Sequence, residues 1–198
     1  MISFSEAKAA RRKKLPERVL HLHLTLRGIE PRIWRRLAVR ETMWLARLHD
    51  SIQVVFGWFD YQLHRFAINE ALYGNPAQRE NETAVEDDRD FSLVDLEFAP
   101  KDTLLYEYLF GDGWQVDIKV EKSESTLPRV KYPLLLGGKY NGPPEDCGGP
   151  EGFKEVLYSL KHPDEPMSKE WLEWLGDGFD PNEFDIEKLN KALGKLPK

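Results

Sequence analysis

With a single cysteine, Cys147, among 198 residues, the chain can form no internal disulfide and no multi-cysteine zinc cage. That usage suits a reducing compartment, and a cytoplasmic location is expected. No apolar run approaches the roughly 18 residues of a membrane-spanning helix, and the amino-terminal MISFSEAKAARRKK lacks the apolar stretch and cleavage site of a secretory leader. Basic residues are the minority, 28 against 34 acidic ones, so the net charge of −6 works against general attraction to phosphate backbones. There is no His-Glu-x-x-His, no Cys-x-x-Cys, and neither the GxGxxG nor the GxxxxGK[ST] form of phosphate loop. No helix-turn-helix, zinc finger, resolvase-type serine motif, internal repeat or low-complexity tract is present. No cofactor is therefore expected.

What the chain does have is apolar content of 41%, with 12% aromatic, enough to bury one sizeable core. A single domain over residues 18–198 is expected, preceded by an arm or short helix over residues 1–17 that carries Arg11, Arg12, Lys13 and Lys14. Leu20, Leu22, Leu24 and Leu26 alternate with His21, His23, Thr25 and Arg27, the period of a half-buried strand, and a second extended run from Arg32 to Val39 is expected to return beside it. Leu45, Leu48, Ile52 and Val55 have helical spacing, with Thr42 as the expected N-cap and Gly57 as the stop.

His64, Phe66 and Ile68 then alternate in a strand that turns near Asn69. The polar, mostly acidic stretch from Asn75 to Asp90 reads as a solvated loop. Tyr106, Tyr108 and Phe110 alternate up to Gly111-Asp112-Gly113, and Trp114, Val116, Ile118 and Val120 alternate away from it, which predicts a tight hairpin. The Pro- and Gly-rich segment from Tyr132 to Gly149 reads as irregular. Helices are expected from Pro150, from a cap at Ser168 and from a cap at Asp185. The fold class expected is α+β, an antiparallel sheet covered by helices that are concentrated in the C-terminal third.

Several segments in order carry a family resemblance: LRGIEPRIWRRLAV (Leu26 to Val39), LHDSIQVVFGWFDYQLHRF (Leu48 to Phe66), YEYLFGDGW (Tyr106 to Trp114), PPEDCGGPEGF (Pro143 to Phe153) and EWLGDGFDPNEFD (Glu173 to Asp185). From about Val19 onward the chain resembles the plasmid pRiA4b ORF-3-like family, which includes passenger proteins of insertion elements. The resemblance implies an antiparallel sheet covered by helices and no established chemistry. It also shows departures: Gln62 stands where members commonly have a second histidine, Leu109 where many have an aspartate, and Gly142 where others have a cysteine five residues before Cys147. Each departure removes a polar or ligating group, and no bound metal is expected for that reason.

The resemblance places any ligand pocket near His49, Trp58, His64, Asp112, Trp114 and Cys147. Two histidines with a carboxylate or thiolate are the ordinary ligands of zinc, but His49 and His64 stand fifteen positions apart and their spacing dictates no site. Histidines hydrogen-bonded at the edge of a core are the plainer expectation. Cys147 beside an imidazole would form a nucleophile and base, and as a lone cysteine it equally suits a small packing role. Gly149-Pro150 opens a helix whose amides could hold an anion. Arg32, Arg35 and Arg36 beside Trp34 form a local basic and aromatic group that, with the basic arm, would be the nucleic-acid contact if there is one. The leading expectation is a non-enzymatic binding or interaction domain with a protein or small-molecule partner and no membrane. A metal-assisted hydrolase and a DNA-associated accessory protein of mobile elements stand as alternatives.

Overall fold

Residues 17–78, 85–109 and 113–197 are described by the computed structural model of the chain. The alternating leucines form β1 (Arg18–Leu26), and β2 (Trp34–Arg40) returns antiparallel to it, so that Leu22 faces Leu37 and Leu24 faces Arg35. Helix α1 (Leu45–Phe56) follows and ends where Gly57 takes a left-handed φ of 80°. Next come β3 (Leu63–Ile68), β4 (Ala71–Gly74), β5 (Val85–Asp87), β6 (Thr103–Leu109), β7 (Trp114–Ser125) and β8 (Leu134–Lys139). Helices α2 (Gly149–Lys161), α3 (Pro166–Leu175) and α4 (Ile186–Leu193) close the chain.

Among the described residues, eight strands join one sheet in the order β5-β4-β3-β6-β7-β1-β2-β8. Directly opposed residues share a face, and the pairs Phe66–Tyr106, Tyr106–Val116, Tyr108–Trp114, Leu24–Ile118 and Leu22–Val120 put one continuous apolar surface on one side. Leu45, Leu48, Ile52, Val55 and Phe56 of α1 belong to the same core, as do Phe153 and Val156 of α2 and Leu193 of α4. The other side is polar and laced with ion pairs, among them Arg36 with Glu121, Arg27 with Asp117 and Arg65 with Glu107.

Several expectations are corrected. Helices are not concentrated in the C-terminal third, because α1 lies between β2 and β3 and supplies the most buried helical face. The sheet is mostly antiparallel, with β4 and β5 parallel, and it extends through β8 inside the segment read as irregular. The N-cap of α1 is Trp44, not Thr42; the chain is extended there, and Trp44 bridges to Ser92. Ser168 lies buried inside α3, whose N-cap is Glu165. The stretch from Asn75 to Asp90 contains β5 and a buried Asp88. Asp185 does cap α4, accepting a hydrogen bond from Lys188 N. β6 and β7 pair antiparallel, with Tyr106 opposite Val116 and Tyr108 opposite Trp114, while the turn residues 110–112 and the arm 1–16 lie outside the described residues.

Candidate functional site

Helical geometry puts His49 and Gln53, four residues apart, on the same face of α1, and that face meets the sheet where β3 and β6 lie side by side. His64 on β3 and Tyr106 on β6 point to this side as well. The two imidazoles stack with centroids 3.5 Å apart and planes 8° from parallel. His49 donates from Nε2 to Asp60 Oδ1 (2.9 Å), and the Tyr106 hydroxyl donates to His49 Nδ1 (2.8 Å). Gln53 Nε2 donates to the Tyr106 oxygen (2.9 Å), and the Asp60 backbone N–H donates to Gln53 Oε1 (3.0 Å). These four bonds form a closed ring, and only the His49 tautomer protonated on Nε2 satisfies every member of it.

His64 Nε2 meets Asp88 Oδ2 at 2.7 Å, so a second histidine–carboxylate pair lies against the first. Asp88 reaches this position because its backbone is held from both sides: its N–H donates to Gly74 O (3.2 Å) and its carbonyl accepts from Ala46 N (3.3 Å). Burial lowers the His64 pKa, outweighing the opposite effect of the Asp88 bond, so the ring is neutral at neutral pH. The hydrogen bond from His49 holds the Asp60 carboxyl below its ordinary value. Full burial holds the Tyr106 hydroxyl well above its own, which keeps it a donor.

Asp60 sits at a positive φ of 61° on the loop between α1 and β3, and that loop is pinned from outside. Glu145 accepts from Phe59 N (2.6 Å), from Tyr61 N (3.3 Å) and from the Tyr108 hydroxyl. His49, Asp60 and His64 each offer a ligand atom, and the three atoms all lie within 4.8 Å of one another. They border a cavity of about 130 Å³ shared with Asp50, Asp88 and Arg89, and the Asp60 side chain, 60% exposed, opens it to solvent.

Of the residues singled out from sequence, His49 and His64 come together. Trp58 and Trp114 lie in the adjoining aromatic core, where Trp58 stacks on Tyr108 with centroids 5.1 Å apart and donates from Nε1 to Pro143 O (3.2 Å). Cys147 is buried in the hydrophobic core, its Sγ 3.9 Å from Gly149 O, and it is not part of the histidine group. Asp112 lies outside the described residues. The three arginines do not form one group: Arg35 is buried on the core side, Arg36 is bidentate to Glu121 on the opposite side (2.6 and 2.9 Å), and Arg32 reaches Glu30 in the preceding turn. Adjacent strand residues point to opposite faces, so Arg35 and Arg36 could not have acted together.

Sequence reasoning missed Asp60, Asp88, Gln53, Tyr106 and Glu145 as members of the site. Gln53 was findable from its four-residue spacing to His49, and Tyr106 from its alternation. Gln62, where the family resemblance implies a histidine, donates from Nε2 to Asp146 Oδ1 (2.7 Å) and stays out of the cluster.

Residues 18–188 match the family described as plasmid pRiA4b ORF-3-like protein. The uncharacterized protein y4hQ of Sinorhizobium fredii is 34% identical over 181 residues, spanning 90% of this chain and 92% of its own. The crystal structure of MM3350 from Methanosarcina mazei Go1, a protein of unknown function, superposes with a TM-score of 0.76 at 36% identity and covers 87% of this chain and 98% of its own.

Proposed function

The chain belongs to the plasmid pRiA4b ORF-3-like family, and from that premise and the geometry of the histidine cluster we propose that it binds a divalent transition-metal ion through His49, Asp60 and His64. The observation that supports this reading is the approach of one carboxylate and two imidazole ligand atoms to within 4.8 Å of one another at the edge of a solvent-open cavity. Two imidazoles and one carboxylate suit zinc or iron(II); calcium and magnesium favour all-oxygen shells. Tetrahedral coordination at zinc–ligand lengths needs donors about 3.3 Å apart, and an imidazole lone pair lies in its ring plane, so side-chain rotations must draw the wider pairs together and open the His49–His64 stack. His49 must also present Nε2 as a lone pair, its proton passing to Nδ1 against the Tyr106 oxygen. The lowered pKa of His64 favours the neutral ligating form.

The reading is one of binding before catalysis. Metal-assisted hydrolysis is the second reading: three protein ligands would leave an ion room for a water, and the Asp60 side chain meets solvent. Protein purified without chelator or affinity metal, or metal-stripped and titrated with cobalt(II), is expected to hold about one ion per chain. Asp60→Ala and His64→Ala should each weaken that binding by at least roughly tenfold while leaving a cooperative melt. Wild-type protein that takes up no cobalt(II) and carries no metal would sink the reading.

A further inference from the structure

The register of β2 sends the Arg35 side chain into the core, opposite Leu24, where only 1% of the residue remains exposed. Its guanidinium meets three backbone carbonyls: Nε donates to Val55 O (2.7 Å), and Nη1 donates to Trp34 O (2.9 Å) and Lys139 O (3.0 Å). The rings of Phe56 and Phe184 lie 5.2 and 5.0 Å from its central carbon. These contacts tie the C-terminal end of α1 to β2 and β8, which is a structural role in its own right. They leave the charge itself unanswered. Carbonyls are dipoles, and among the described residues no carboxylate pairs with Arg35; desolvation alone shifts its pKa, down to about 10.

The Nη2 nitrogen keeps both of its N–H bonds uncommitted among the described residues. Arg35 lines a cavity of about 160 Å³ together with Phe56, Phe184 and Lys188 and with two carboxylates, Glu183 and Asp185. A buried cation with no counterion is costly, and an oxyanion on the open edge of the guanidinium would answer its charge and its two donors at once. We infer that this cavity is a binding site for the carboxylate of a small organic acid, seated on Nη2 of Arg35 between the Phe56 and Phe184 rings with Lys188 at the mouth.

A monoanion fits better than a phosphate dianion because two carboxylates also line the cavity: Glu183, 3.9 Å from Lys188 Nζ, and Asp185, which accepts from Lys188 N. The aromatic walls accept the apolar body of an acid and offer a phosphate nothing. The site is separate from the histidine cluster and stands or falls without it.

The test is titration of the full chain with acetate, benzoate and inorganic phosphate at ionic strength matched with chloride, read by melting temperature and by the NMR signal of the Arg35 Nε–H. Benzoate or acetate is expected to raise the melting temperature and shift the Arg35 signal. Lys188→Glu, which leaves the buried arginine in place, should weaken the effect about tenfold through charge reversal at the mouth. Arg35→Met should abolish it; should that variant not fold, Lys188→Glu and the Arg35 signal still decide. Binding that leaves the Arg35 resonance unmoved, or that survives Lys188→Glu unchanged, overturns the assignment. Phosphate binding without carboxylate binding overturns the choice of ligand, and no response to any of the three anions overturns the site.

Discussion

At position 142, where the family resemblance implies a cysteine, this chain has a glycine, and the structure gives the glycine a steric reason. The Gly142 backbone lies so close to Phe56 that an added Cβ would overlap the Phe56 carbonyl, itself part of the C-terminal end of α1. In this chain the loop is therefore packed against the helix and has no room there for a ligating side chain. Gly142→Ala is expected to cost about 1–3 kcal/mol through overpacking, seen as a lowered denaturant midpoint with an unchanged slope. A variant as stable as wild type would show that the loop can move away from α1 without penalty. Gly152 meets Cys147 O in the same way, so two close backbone approaches flank the segment that carries Glu145, Asp146 and Cys147.

The element that organises the histidine cluster is the loop from Gly57 to Gln62, and its shape is imposed by partners distant in sequence. Glu145 gathers the N–H groups of Phe59 and Tyr61 while Gln53 takes that of Asp60, which together hold Asp60 at its positive φ. Glu145→Gln removes the charge that makes these bonds strong. It should lower stability by about 1–2 kcal/mol and weaken cobalt(II) binding about tenfold, although residue 145 touches no proposed ligand atom. Unchanged metal affinity in the destabilised variant would show that Asp60 is positioned without this loop anchor. How far these elements could be read from sequence follows from the range of the interactions that form them. The leucines of β1, the stripe of α1 and the aromatics of β6 and β7 are local periodicities and were legible. Strand β8 was not, because Gly137 and Gly138 read as punctuation; in fact a side chain at 138 would collide with the Phe184 ring and the Trp34 carbonyl. Nor was the Asp88 site, which depends on β5 pairing with β4 across a connection whose acidic composition suggests solvent.

On the scale of the whole molecule, one side of the sheet is covered by helices and the other carries ion pairs, so Arg35, His49 and Asp88 are buried on the side of α1 while His21 and Glu107 are buried among the ion pairs. Among the described residues, no helix is long and apolar enough to cross a membrane. His64 ties this arrangement to pH. Its pKa is lowered in the folded protein, first by burial, from an unfolded value of about 6.5. Above that value both states hold the ring neutral and its contribution to stability is complete. As pH falls below it, the unfolded chain takes up a proton that the folded chain resists, so stability declines until the folded pKa is passed. His23, also lowered chiefly by burial, acts in the same direction, whereas the lowered Asp60 carboxyl contributes in the more acidic window below about 4. Melting temperature measured in chelator, so that no metal competes with protons for the ring, is therefore expected to fall between about pH 7 and pH 5. His64→Gln should flatten that fall without erasing it, because His23 remains. A wild-type melting temperature constant across this range, or a variant with the full wild-type slope, would show that His64 does not carry the charge-burial cost that its buried position implies.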